Sequence, residues 1–506
     1  VNPSTDSRHA AWTRLDWAAL AAVTLGAAAV RLAGLARPVG LVFDEIFYAQ
    51  NACRYVIGTS ECGISELASR AHPPLGNWLI GAGVKLFGYD EFGWRIMPAV
   101  AGTVGVALLY VLVRRLLREA PAAAATAGAF VAAGLLAGDF LHLVLSRIGM
   151  LDVFLTTLVI AAVLFAVLDR DRPRPARWER RSPGLLSALA LHRPWRLATG
   201  VAIGAAVAVK WSGAYVALGI IPLVVAWEIA ARREAGGLGA AEFGAAPRRW
   251  GEAAALAIRE EGLRSVVLLG VVPVLVYLAA YIGRMPGELI GPPWQEGTVW
   301  RGIWDHQQAM LTFHTELAGS HPYESPPWSW LLLKRPVALF FAEEGGAYRE
   351  ILAMGSPLAW LAAMAAIGWA AVRLAGARWR LERPELVLVL AALAIYLPWL
   401  ALSGDRSQTF IWYALPALPF LYGALGLAVA TAWRSVAGRV AVGAALAGCL
   451  ALFVFFAPVL MALPLTPEEW RSRMWLTDCA RPGAETLALP DDEISQGPPP
   501  SGWCWI

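Results

Sequence analysis

Apolar runs long enough to cross a bilayer recur along almost the whole of this 506-residue chain. Lipid offers backbone N–H and C=O groups no partner, so such runs must satisfy their own hydrogen bonds as helices. At 58% hydrophobic and 16% charged residues, the composition lies outside the range of soluble domains. The expected spans are 17–35, 95–117, 122–140, 150–168, 197–212, 213–231, 265–283, 356–374, 385–402, 409–431 and 440–463. This is an all-α polytopic membrane protein of about eleven helices. The run 197–231 is too long for one span, and Lys210-Trp211-Ser212-Gly213 fits a tight turn between two. The polar stretch VNPSTDSRHAAWTRLDW leads directly into the first span and reads as an uncleaved anchor.

Basic loops orient the spans. Arg114, Arg115 and Arg118 form one group; Arg170, Arg172, Arg174, Arg177, Arg180 and Arg181 form a second. Arg232, Arg233, Arg248 and Arg249 follow, then Arg373, Arg378, Arg380 and Arg383. With the N-terminus inside, all of them fall on the cytoplasmic side. Three outer segments remain, 36–94, 284–355 and 464–506, richer in aromatics, His and Pro. Within the first, the short apolar run 75–87 reads as an interfacial or re-entrant helix. The Gly/Ala-rich stretch 234–262 reads as a cytoplasmic linker. The net charge of +4 says little and calls for no nucleic-acid partner. Abundant Ala, Arg, Gly and Pro point to a GC-rich bacterial gene. Cys53 and Cys62 share one outer segment, and Cys479 and Cys504 another, which fits two structural disulfides on an oxidising side. Cys449 lies alone in the last span. No Cys/His cluster suggests a metal site.

In the segment LVFDEIFY, Asp44 and Glu45 sit among apolar and aromatic residues at the outer membrane face. An unpartnered carboxylate is costly to hold ionised there. Cations fall at the same depth: Arg31, Arg95, Arg147 close to Asp152, Lys210, and Arg406. Ionisable groups at membrane depth pair with each other or line a functional cavity. Gathered cations suit an anionic ligand, and a phosphate at the membrane surface suggests a lipid-linked one. Each residue also has a plainer reading. Arg31 and Arg95 suit snorkelling helix ends. Arg147 suits an ion pair with Asp152, Lys210 an interfacial anchor beside Trp211, and Asp44 a helix N-cap. His72 suits either the ligand or the turn that the following prolines begin.

These residues resemble a known family. FDEIFYAQNA, HPPLGNWLIGAGVKLFGYDEFGWRIMPAV, SRIGMLDVFL, VAVKWSGAY and HTELAGSHPYESPPWSWLLLKRPV are similar, in that order, to segments of the protein O-mannosyltransferases. The likeness covers roughly residues 25–425. It implies a GT-C glycosyltransferase fold: a transmembrane catalytic domain, 1–463, with outer loops 36–94 and 284–355, and an extracytoplasmic tail, 464–506. It implies transfer of mannose from polyprenyl-phosphate-mannose to Ser/Thr hydroxyls of unfolded exported proteins, with the secretion translocon an expected partner and the active site outside the bacterial plasma membrane. The acidic pair matches Asp44-Glu45. Arg95 and Lys210 look like the donor-phosphate cations, with Arg31 a further functional Arg; apart from the resemblance, the shared depth adds Arg147, Asp152 and Arg406 to the expected donor site, and the HPPLG turn adds His72. The soluble β-trefoil insertion of eukaryotic members is absent between the seventh and eighth spans.

The chemistry can be built from the residues themselves. A Ser hydroxyl needs a base within hydrogen-bond reach as it attacks the anomeric carbon. Asp44 is typed for that role with Glu45 orienting a neighbour, and the reverse assignment stays open. Arg and Lys can stabilise a leaving lipid phosphate with no metal required. His321, Tyr323, Ser325 and Trp328 suit an extended acceptor or a sugar. The alternatives are transfer of another lipid-linked sugar to a cell-envelope glycan or lipid, and secondary transport, although no internal repeat of the transporter kind is present.

Overall fold

The computed structural model describes residues 12–58, 62, 68–172, 193–243, 250–282, 284–285, 288–289, 299–316, 323–402 and 408–475. In chain order the helices begin with α1 (Arg14–Leu32), α2 (Glu45–Val56), α3 (Leu75–Phe87), α4 (Glu91–Leu116), α5 (Ala122–Ala137) and α6 (Phe140–Leu145). Next come α7 (Asp152–Asp171), α8 (Pro194–Val209), α9 (Tyr215–Phe243) after a 3₁₀ turn at Trp211–Ala214, and α10 (Trp250–Ala279). A minimal hairpin, β1 (Arg284–Met285) and β2 (Glu288–Leu289), precedes α11 (Val299–Glu316) and α12 (Pro327–Trp330). The hairpin β3 (Val337–Glu344) and β4 (Ala347–Ala353) follows. The chain continues with α13 (Pro357–Gly376), α14 (Pro384–Leu402), a 3₁₀ turn Ile411–Ala417, α15 (Leu418–Ala432), α16 (Val436–Leu460) and α17 (Pro467–Arg471).

Among the described residues, nine helices are long and apolar enough to span a membrane, and α5 and α8 are shorter apolar helices. Together they occupy the eleven expected segments, with shifted ends. The first runs 14–32 rather than 17–35, and the last 436–460 rather than 440–463. The expected linker 234–262 is largely helix: α9 continues to Phe243 and α10 resumes at Trp250. Ion pairs hold these helical ends together. Arg232 binds Glu228 and Glu260, and Arg196 binds Asp169, Glu228 and Glu261. Glu260 and Glu261, in the stretch that reads as a linker, are therefore partners in this ion-pair network. The hairpin β3–β4 is the main departure from an all-helical chain.

Small residues let the helices approach. A methyl group on Gly128 or Gly426 would collide with the carbonyl of the other, so α5 and α15 cross at glycine. α7 and the segment containing α15 are each 83% buried, whereas α16 is 6% buried. The bundle is thus built around α7, whose first residue is Asp152.

The segment after α16 packs back onto the large loop. Leu465 pairs with Tyr348 of β4, and Trp470 donates to Glu350 at 2.7 Å. Cys53, in α2, is joined to Cys62 by a disulfide. Cys449 is free and half-buried. Cys479 and Cys504 lie outside the described residues.

Candidate active site

Asp44 and Glu45 are adjacent in sequence and opposite in circumstance. Phe43 before them takes a left-handed backbone with φ 48°, which costs a non-glycine residue on the order of 1–3 kcal/mol. Glu45 is fully buried. Its Oε1 accepts from Arg95 Nε at 2.8 Å and Gly149 N at 2.7 Å. Its Oε2 accepts from Arg95 Nη2 at 2.7 Å and Val42 N at 2.8 Å. A carboxylate with four donors, two from a bidentate guanidinium, has its acceptor sites filled and none to spare for a substrate hydroxyl. Gly149 fits closely there: a Cβ would stand 3.3 Å from Glu45 Cγ and press on it.

Asp44 occupies the N-cap position of α2, yet its side chain makes no capping bond. It is half-buried and instead accepts from the Tyr48 hydroxyl, one helical turn on. Burial pushes its carboxyl from 3.8 up to about 6; Lys210 opposes the push, Asp152 adds to it, and the Tyr48 bond opposes it. Burial and the nearby Asp44 and Asp152 charges hold the Tyr48 hydroxyl well above its ordinary value, so it remains a donor. Asp152 and Lys210 form a buried ion pair at 2.7 Å. Lys210 lies at the break between α8 and the turn that opens the next span, with its ammonium 5.5 Å from the Tyr413 ring centre. Asp44, Tyr48, Asp152, Lys210 and Tyr413 therefore meet at the end of the central helix.

A small pocket with room for about one water molecule adjoins this cluster. Asp152 and Ser212 line its polar end; Leu155, Val159, Tyr215, Ile395, Trp399 and Pro416 line the rest. Leu155 and Val159 lie about one and two turns below Asp152 on the same helix. The Asp152–Lys210 ion pair thus lies against aliphatic and aromatic side chains.

Three expected donor-site cations are committed elsewhere. Arg95, beyond its pair with Glu45, donates to Pro38 O at 2.7 Å and Gly40 O at 2.9 Å, and is fully buried. Arg31 donates to Ala27 O and Ala137 O and meets His142 Nδ1 at 2.7 Å. Arg147 does not pair with Asp152. It donates to Val30 O and Arg31 O, each at 2.8 Å, and to Gly34 O at 3.3 Å. The last carbonyls of α1 have no intrahelical donors, and a guanidinium fork satisfies them. These arginines brace the site, and among the described residues Lys210 is left as the expected cation whose charge acts on Asp44.

His72 stands next to the cluster, its ring 6.0 Å from Tyr48 and 5.6 Å from His314. Ser325 does not offer its groups outward. It is buried, its N–H donates to Thr409 O, and its O and Oγ accept from Trp330 Nε1. Tyr323 is half-buried near Glu350. Trp328 is 56% exposed with the Lys334 ammonium over its ring at 4.9 Å. This segment reaches the site through Trp330, whose ring lies 5.9 Å from Tyr413. His321 and Arg406 lie outside the described residues. Tyr48, Trp211, His314 and Tyr413 were not anticipated; of these, Tyr48 alone had a signal, its i+4 spacing from Asp44. Among the described residues no three His, Cys, Asp or Glu side chains converge as a metal-ion set.

Two family descriptions match the chain: "Dolichyl-phosphate-mannose-protein mannosyltransferase" over residues 71–235, and "C-terminal four TMM region of protein-O-mannosyltransferase" over residues 299–479. A polyprenol-phosphate-mannose–protein mannosyltransferase of Mycobacterium tuberculosis is 30% identical over 478 residues, 86% of each chain. Its Mycolicibacterium smegmatis counterpart is 29% identical over 91% of this chain and 92% of its own. The S. cerevisiae protein O-mannosyltransferase Pmt1-Pmt2 complex, solved bound to the sugar donor, superposes with a TM-score of 0.67. That likeness has 16% identity, covers 93% of each chain and establishes a shared fold.

Proposed function

The chain belongs to the protein O-mannosyltransferase family and is a multi-pass membrane glycosyltransferase of the GT-C fold, and from that premise we propose a site and a mechanism for it. The enzyme transfers mannose from polyprenyl-phosphate-mannose to a Ser or Thr hydroxyl of an exported polypeptide, at the extracytoplasmic face. The observation that supports the site is that Glu45 has four donors and no spare capacity, whereas Asp44 holds one hydroxyl bond and a carboxyl pushed up to about 6.

The lipid chain takes the side of Leu155, Val159 and Trp399, whose small pocket has to widen to admit it, and the phosphate comes to rest near Lys210. Asp44 accepts the proton of the acceptor hydroxyl as its oxygen bonds to the anomeric carbon. The carbon–oxygen bond to phosphate breaks on the opposite face, so the configuration inverts. The lipid phosphate leaves with the bonding electrons, and the Lys210 charge stabilises it without reorganising. Tyr48 holds the Asp44 carboxylate in place. Asp152 holds the Lys210 ammonium in place through their ion pair. His72 and His314 border the space where the acceptor enters.

The test is single-turnover transfer from polyprenyl-phosphate-mannose to a Thr-containing peptide, read beside donor binding. Asp44→Asn should bind donor normally and transfer slower by on the order of a hundred- to ten-thousand-fold. Near wild-type transfer by Asp44→Asn would refute the assignment.

A further inference from the structure

Helix α11 presents three distinct faces. Gly302, His306 and Met310 are buried, and His314 continues that row at four-residue spacing. This face is latched to the site rim: His306 Nε2 meets Arg70 O at 3.2 Å and His314 Nε2 meets Ala71 O at 2.9 Å, beside His72. A second face carries Arg301, Asp305, Gln308 and Thr312. The third carries Trp300, Trp304 and Leu311, which fall within about 40° of one another at 100° per residue. They are 68%, 62% and 47% exposed, large side chains that no element among the described residues covers.

The depth of this third face is set by α10. Gln307 accepts from Tyr277, in the last turn of α10, at 2.5 Å, and donates to Tyr281 at 2.8 Å. α10 is only 11% buried within the bundle, and Val274, Leu275 and Ile282 along its outer end are 56–81% exposed. Such a surface on a membrane span faces lipid. α11 is thus tied to the end of a lipid-facing span at the boundary of the bilayer. Tryptophan is the residue best suited to that boundary, and a helix with an apolar stripe beside a polar one lies flat in it. We propose that α11 is a membrane-interfacial helix, with Trp300, Trp304 and Leu311 seated in the leaflet on the active-site side. The bilayer then bears one side of α11 while His306 and His314 fasten the other, which holds the His314 ring over the site mouth. The alternative occupant, the acceptor polypeptide, lacks this continuity with a lipid-facing surface.

The experiment needs no turnover, so it stands whether or not the transferase mechanism above is right. In the full chain with Cys449, Cys479 and Cys504 replaced by Ala, nitroxide labels are placed singly through Trp300→Cys, Trp304→Cys, Leu311→Cys, Asp305→Cys and Gln308→Cys. Their accessibility to oxygen and to a water-soluble nickel chelate is compared in lipid nanodiscs. The expected result is an oxygen-to-nickel ratio several-fold higher at 300, 304 and 311 than at 305 and 308. Three probes on one face keep the test decisive if one variant does not fold. Equal nickel access on both faces overturns the proposal. Nickel access at 304 and 311 that disappears only when a Thr-containing peptide is added also overturns it, and assigns the face to the acceptor.

Discussion

Glu45→Gln and Asp44→Asn make the same chemical change at neighbouring positions, and the structure assigns them opposite effects on stability. Glu45 accepts four hydrogen bonds, and its charge balances a fully buried Arg95. A glutamine has one acceptor oxygen in place of two, so two donors lose their partner and the guanidinium charge stands unbalanced in the protein interior. Removing one member of a buried pair costs about 3–5 kcal/mol. Asp44 runs the other way. Its carboxyl rises from 3.8 to about 6 on folding, and about two units at 1.36 kcal/mol each is about 3 kcal/mol of penalty on the ionised form. For an acid with a raised folded value, the penalty is absent below the unfolded value near 4, grows as pH rises, and is complete above about 6. Asp44→Asn should therefore raise the unfolding temperature at pH 7.5 and change it little at pH 4.5, while transfer collapses. Glu45→Gln should lower the unfolding temperature at both. The assay is thermal unfolding in detergent at the two pH values, with single-turnover transfer on the same samples. A Glu45→Gln protein as stable as wild type, or an Asp44→Asn protein destabilised at pH 7.5, would refute the division of roles.

Wild-type transfer should fall as pH drops through about 6, in one protonation step assigned to Asp44, and a rate independent of pH between 5 and 7.5 would remove Asp44 as base. Lys210→Ala should weaken donor binding and slow transfer together, and should also destabilise the fold by leaving Asp152 buried without its ion pair; unchanged donor binding in a titration with polyprenyl phosphate would take the phosphate from Lys210. Glu350 is fully buried on β4, its carboxyl pushed from 4.5 to about 8 by burial against one opposing bond from Trp470. Stability should therefore decline as pH rises from about 5 to 9, and Glu350→Gln should flatten that decline in an unfolding-temperature series. Cys53→Ser should destabilise the first outer loop by about 2–3 kcal/mol from loop-closure entropy, read as a lowered unfolding temperature that reductant does not lower further.

The sequence by itself determined the number and place of the membrane helices, because lipid imposes one rule on every segment within it: long apolar runs must become helices. It also located the acidic pair, Lys210 and Asp152 near one face, because charge within apolar runs is conspicuous. It could not divide labour between Asp44 and Glu45, since adjacent carboxylates look alike until a fold supplies Arg95 and two backbone amides to one and Tyr48 to the other. Nor could it separate Lys210 from Arg31, Arg95 and Arg147. The span pattern assigns all four one depth, but depth is one coordinate. Whether a guanidinium faces the site or the carbonyls at the end of α1 depends on rotation about helix axes and on which spans are neighbours. Tertiary packing alone brought Tyr413 and His314 to the site from segments hundreds of residues away. It also turned charges of the expected linker into partners in an ion-pair network, because an ion pair between distant segments leaves no local periodicity to read.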